Sequence, residues 1–222
     1  HNRKYNNMKT LRFLMWMIVL SGLFSCTKST TGSEGSVSFV ISSDQYLADI
    51  TKSNVSDYTT LPGSDDFVLT INNSAGNAVW RGKASEWDPA TKLMVGEYRV
   101  TASYGNIEDE GFDKPCFEGT QTFTIKNKET SQVTVSASLA NTVIKIACTD
   151  NLKNYYKDYT FKLARNNADI VTFAKGESRA AFIDGYKVTV NGTFVTESGA
   201  EKTFSKDYTG LAAATAYNMV FD

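Results

Sequence analysis

Ser-His-Asp and Cys-His nucleophiles, imidazole acid-base relays and histidine-ligated zinc all need a histidine held inside a fold, and the single histidine of these 222 residues is His1. Those chemistries are excluded from the body of the chain. Carboxylates remain. Glu108, Asp109, Glu110, Asp113 and Glu118 crowd one connection, and two acids at a suitable separation are all that glycoside hydrolysis requires. Oxygen ligands also suit Ca²⁺, which makes Glu108, Asp109, Glu110 and Asp113 a candidate metal site, although the run lacks the alternating Asp/Asn positions and central Gly of the twelve-residue calcium loop. A solvated acidic loop is the third reading of the same residues.

Aromatic side chains offer adsorption in place of reaction. Trp80, Trp87 and Tyr104 fall in or beside connections, where an exposed ring stacks on a sugar face or anchors a protein partner. The other reading puts Trp80 over a core at a strand end and Trp87 as the plug of a long loop. Tyr155, Tyr156 and Tyr159 cluster further on, two of them expected across a seam between halves. Cys148 continues the apolar face of Ile144 and Ile146, whereas Cys116 follows Pro115 in a loop, so phase favours unpaired thiols over a disulfide.

The elements that position these residues read as strands. Val37, Phe39 and Ile41 alternate with polar neighbours, as do Phe67, Leu69 and Ile71; Tyr98, Val100 and Ala102; Phe123 and Ile125; and Val133 to Leu139. Period two with one polar face predicts antiparallel sheet on a core, and the Asn- and Gly-rich stretches between the runs supply turns. Only 150–158 and 83–91 are candidates for a short helical turn. Thirteen Phe and eleven Tyr against three Pro suit sheets better than a disordered tract.

The second half repeats the first. Asp66–Ile71 aligns with Asp158–Leu163, Gly96–Ala102 with Asp184–Val190, Gln121–Phe123 with Lys202–Phe204, and Val133–Leu139 with Tyr217–Phe221. The order is preserved, which predicts an all-β chain of two β-sandwiches, 36–139 and 140–222, closely abutting because no Gly/Pro linker separates Leu139 from Val143.

The region before them is of another kind. Lys9 and Arg12 precede the apolar run Phe13–Phe24, too short to span a bilayer but the length of a signal-peptide hydrophobic region. Leu23-Phe24-Ser25-Cys26 resembles the lipobox of bacterial lipoproteins, which makes Cys26 the acylated first residue of the mature protein, 1–25 its leader and 26–35 a polar tether. Four of the 23 basic residues and none of the 24 acidic ones lie ahead of Cys26, so the remainder carries a net charge of −5. A nucleic-acid partner is excluded on that balance.

With the lipobox, Ser103-Tyr104-Gly105, Gly111 to Gly119, Thr122 to Ile125, Ala137 to Val143 and Glu177-Ser178-Arg179-Ala180, the chain resembles a lipoprotein family of gut Bacteroidota, domain of unknown function 4493. The position of Cys116 is more usually Tyr in that family. The resemblance implies two tandem immunoglobulin-like or transthyretin-like sandwiches on an outer-membrane lipid anchor, with no cofactor and no established catalytic activity. Thr27 to Thr30 lack the acids common in surface-exported relatives, which leaves the membrane face open. In architecture the chain is similar to fimbrillin precursors, which implies adhesion or pilus assembly with a protein or glycan partner; the alternative is a glycan-binding accessory lipoprotein. The same similarity makes Lys52, in the connection after the first strand, a candidate processing site: cleavage there would free the first strand, and another subunit's strand would refill its place.

Overall fold

A computed structural model describes residues 32–48 and 53–222, and each run that alternates in the sequence contributes a strand to it, with Phe67 one residue ahead of its strand. The first half comprises β1 (Glu34–Ser43), β2 (Val68–Asn73), β3 (Ala78–Lys83), β4 (Leu93–Met94), β5 (Gly96–Tyr104), β6 (Gly111–Phe112), β7 (Phe117–Ile125) and β8 (Thr130–Leu139). The second comprises β9 (Thr142–Cys148), β10 (Tyr156–Arg165), β11 (Ala168–Ala174), β12 (Ala181–Ile183), β13 (Val188–Thr196), β14 (Glu201–Tyr208) and β15 (Thr215–Phe221). Between β9 and β10 lies a short helix, α1 (Asp150–Tyr155), whose first turn is capped by Thr149 Oγ1 accepting from the Leu152 N–H. Glu34 and Gly35, expected in the tether, are already paired with Met94 and Leu93.

The first half is one sheet in the order β3-β2-β5-β7-β8-β1-β4, and the second forms two, β11-β10-β13-β14 and β15-β9-β12-β6. β7 and β8 share only the pairs Phe117–Leu139 and Glu118–Ser138. Close by, a Cβ on Gly119 would collide with the backbone of Ser136, so glycine permits the approach. The inward residues Phe67, Leu69, Ile71, Val100 and Ala102 meet Val37, Val133, Val135 and Leu139 in one core.

Two expectations are corrected here. β1 runs parallel to β8, and β9 parallel to β15, where antiparallel pairing was expected throughout. Alternation of side chains is the same in both kinds of ladder, so it carries no strand direction. The second correction is one of register. β2 pairs with β3 and β5 as β10 pairs with β11 and β13, each with an irregularity at the equivalent place, after Ile71 and after Leu163. Ile71 faces Val100 and Leu163 faces Val190, which makes Val188, not Tyr186, the counterpart of Tyr98. Val100 then faces Gln121 and Val190 faces Lys206, so Phe123 corresponds to Tyr208 and not to Phe204.

The second core centres on Ile144, Phe161, Leu163, Phe173, Val188 and Val190. The cores reach across residue 140: Val143, Phe182 and Ala216 pack into the first, and Phe112 packs against the second. β6 also extends the second half's sheet by pairing with β12.

Candidate functional site

The acidic connection between β5 and β7 turns out to be a brace. It starts at Gly105, whose φ of +74° and contact with the Pro115 backbone both exclude a side chain. The return is pinned by Cys116, whose carbonyl accepts from the Ala140 N–H at 2.7 Å and whose N–H donates to Asn141 Oδ1 at 2.5 Å. Between these points the loop lays Glu110, Phe112 and Asp113 against the second half. Arg165 grips Glu110 with two parallel hydrogen bonds of 2.9 and 2.8 Å, and the Asp184 N–H donates to the same carboxylate at 2.6 Å. Arg179 lies over the Phe112 ring, 4.4 Å from its centroid, and pairs with Asp113 at 3.4 Å and Glu177 at 2.9 Å. Hydrogen bonds from Arg179 pull the Glu177 carboxyl down to about 2.

This arrangement does not bring together the acids that the calcium and carboxylate-pair readings rest on. Glu110 and Asp113 face guanidinium groups and not one another, Glu108 and Asp109 point into solvent, and Glu118 is exposed on β7. Among the described residues no group of three or more acidic or thiol side chains is placed to hold a metal. Arg165 and Arg179 could not be found from the sequence, because each reaches more than fifty residues back along the chain.

The aromatic candidates follow the second reading, packed on a core. Trp87 is buried at 7% exposure and its indole N–H donates to the Val37 carbonyl at 2.9 Å, so it ties the stretch after β3 to β1. Trp80 packs edge-on against Trp87 at 5.0 Å, and Tyr104 leans on Phe67 at 5.9 Å; both are half-buried against the first core. They form no common platform: Trp80 is opposite Ile71, whereas Tyr104 lies one residue beyond the partner of Val68. The tyrosine cluster of the second half does not cross the seam. Tyr156 packs on Phe194 and Tyr159 near Phe161 within the second core, while Tyr155 is exposed. Cys116 and Cys148 are unpaired, and burial pushes both thiols above the usual range. Cys26 and Lys52 lie outside the described residues.

What the sequence missed is a pair of equivalent surface grooves. Each lies where a hairpin end meets the first residues of the next central strand. In the first half the groove, about 760 Å³, runs between Asn72–Ser74 and Glu97–Thr101. In the second, about 440 Å³, it runs between Ala164–Asn167 and Tyr186–Thr189. The signal was present: Asn166-Asn167 between two alternating runs is a two-residue hairpin loop, and Asp184-Gly185 before Tyr186 marks a turn.

The family model described as Domain of unknown function (DUF4493) matches residues 33–222. No curated protein matches the chain in sequence. Among solved structures the chain is similar to a Bacteroides thetaiotaomicron protein (DUF1812) proposed to bind polysaccharide, with 10% identity and a TM-score of 0.47 over 85% of this chain and 90% of that one. A proposed cell adhesion protein of the same species is similar at 13% identity and a TM-score of 0.45, over 83% of this chain and 91% of that one. The fimbrial anchor protein Mfa2 of Porphyromonas gingivalis is similar at 12% identity and a TM-score of 0.43, over 80% and 83%.

Proposed function

The chain belongs to the DUF4493 family, and we propose that it is a non-enzymatic lipoprotein of the cell envelope, anchored through Cys26, with a structural or adhesive role. The observation that carries this reading is the commitment of the acidic loop to the seam. In the one connection whose residue types suggested catalysis, Glu110 and Asp113 are paired with Arg165 and Arg179 of the second half. Such a body transmits load between an anchor and a partner, and the polar stretch from Thr27 to Ser33 gives it reach from a membrane. On this reading 36–139 and 140–222 are two copies of one sandwich, braced into a single body.

The pilus-related version of the role rests on β1. Its Val37 is fully buried, and its residues Ser36 to Ser43 pair along β8. Cleavage at Lys52 and loss of β1 would open a trough beside β8 lined by Trp87, Val133 and Val135, which a strand from another subunit would refill by main-chain pairing.

Fractionation tests the anchored reading. The full chain should stay in the membrane pellet through a carbonate wash, and Cys26→Ala should move to the soluble fraction with its fold intact. A Cys26→Ala protein that still pellets refutes the lipid anchor. Cells carrying the chain should adhere to surfaces or to one another more than cells carrying Cys26→Ala, and equal adhesion removes the adhesive role.

A further inference from the structure

We propose that the groove beside Tyr186 binds a neutral sugar ring, stacked on the Tyr186 phenol and held by the side-chain amides of Asn166 and Asn167. The inference rests on the adhesive reading and names its ligand class. Tyr186 is 67% exposed, and its ring has no aromatic or cationic partner among the described residues. Its backbone is fixed nonetheless, because its carbonyl accepts from the Leu211 N–H at 3.0 Å. Opposite it, Asn166 and Asn167 form the two-residue loop between β10 and β11, both with left-handed φ, 49° and 63°. Both side chains are exposed and neither amide has a hydrogen-bond partner among the described residues. A flat ring face beside unpaired amide donors and acceptors suits a pyranose, whose C–H face is apolar and whose rim is hydroxyl.

The surroundings argue for a neutral glycan over other ligands. The charges lining the groove are already paired: Lys187 with Asp207 at 2.7 Å, and Arg165 with Glu110 across the seam. An ionic ligand would find no unneutralised charge. β10 and β13 are paired on both sides and offer a peptide no main-chain bonds; of the edge strand β14 only Asp207 lines the groove, and its carboxylate is already held by Lys187. Arg165 also donates to the Asp184 carbonyl, which fixes the segment leading into Tyr186. The site is thus built before a ligand arrives.

The first half supplies an internal control. Its groove is larger, but the two rings that line it, buried Tyr98 and half-buried Phe123, are stacked on each other at 5.7 Å beside Asn72, Asn73 and Arg99.

Titration of the detergent-solubilised full chain with neutral gluco-, galacto- and manno-tetrasaccharides, followed by tyrosine fluorescence and calorimetry, tests the proposal. At least one should bind saturably. Tyr186→Ala should weaken that binding about tenfold, and Tyr186→Phe should keep it within about threefold. Asn167→Gly, which retains the left-handed turn, should also weaken it, whereas Arg99→Ala in the other groove should change nothing. Binding that survives Tyr186→Ala, a tetrasaccharide panel with no binder, or a short peptide that competes at Tyr186 would each overturn the sugar site. Cells that still adhere through the protein despite an empty panel would sink the sugar site alone; loss of adhesion by the wild-type chain would sink the adhesive reading itself.

Discussion

In the first half, a Gly-Glu-Tyr-Arg-Val run places Tyr98 in the core, where its hydroxyl donates to the Met94 carbonyl at 2.9 Å and burial pushes its phenol above the usual range. In the second half, the look-alike Asp-Gly-Tyr-Lys-Val run leaves Tyr186 in solvent. The strands around them pair by the same scheme, yet β13 is shifted by two residues relative to the apparent repeat, and Val188 fills the place of Tyr98. Pairing register, and not the local motif, decides which side chains reach the core. Two halves can thereby share a pairing scheme while look-alike runs send their tyrosines to different places.

Core truncation should have the largest effect and should tell whether the halves stand or fall together. Phe67→Ala and Phe161→Ala each remove a side chain that is 1% exposed, and each should cost about 3 to 5 kcal/mol in urea unfolding. Because Phe182 and Val143 pack into the first core, both variants should lower one shared transition. Two separate transitions in the wild-type chain would break the account of a braced body.

The brace comes next in size. Glu110→Gln leaves the Arg165 guanidinium without its carboxylate in a partly covered seam, and should cost about 2 kcal/mol. The measurement to make is unfolding by two probes, tryptophan emission for the first half, which holds Trp80 and Trp87, and far-ultraviolet dichroism for the whole. Their midpoints should coincide in the wild type and separate in Glu110→Gln. Coincident midpoints in the variant would assign the coupling to the apolar contacts alone.

The smallest effect is one of pH. Glu177 is held at about 2 by Arg179, against an ordinary value of 4.5. A depressed carboxyl contributes stability that is complete above its unfolded value and lost as pH falls through the folded one. The thermal midpoint should therefore drop as pH is taken from about 5 towards 2, with a shallower slope in Arg179→Ala. Identical slopes would mean that Arg179 does not hold the Glu177 carboxyl down.

Strand positions were legible because apolar residues at every second place mark a half-buried strand whatever its partner, as in Val133, Val135, Ala137 and Leu139. Partners were not. The parallel neighbour of β1 begins at Thr130, and Arg165 finds Glu110 fifty-five residues away; both depend on chain crossings that no local pattern records. Trp87 looked available for binding because it follows a strand in a polar stretch, and only the Val37 carbonyl, fifty residues distant, explains its burial. The groove at Asn166, Asn167 and Tyr186 was half-legible: its turns carry a local signature, but the exposure of Tyr186 follows from the register of β13.

Paired truncation of the two tyrosines tests the central contrast most directly. Tyr98→Ala should lower unfolding stability by about 3 kcal/mol, as loss of a core aromatic does, whereas Tyr186→Ala should stay within about 0.5 kcal/mol of the wild type. In the same preparations, adhesion by cells displaying Tyr186→Ala should fall while adhesion by folded Tyr98→Ala persists. Equal stability losses in the two variants would contradict the account, because they would place Tyr186 in a core and return the two halves to the same register.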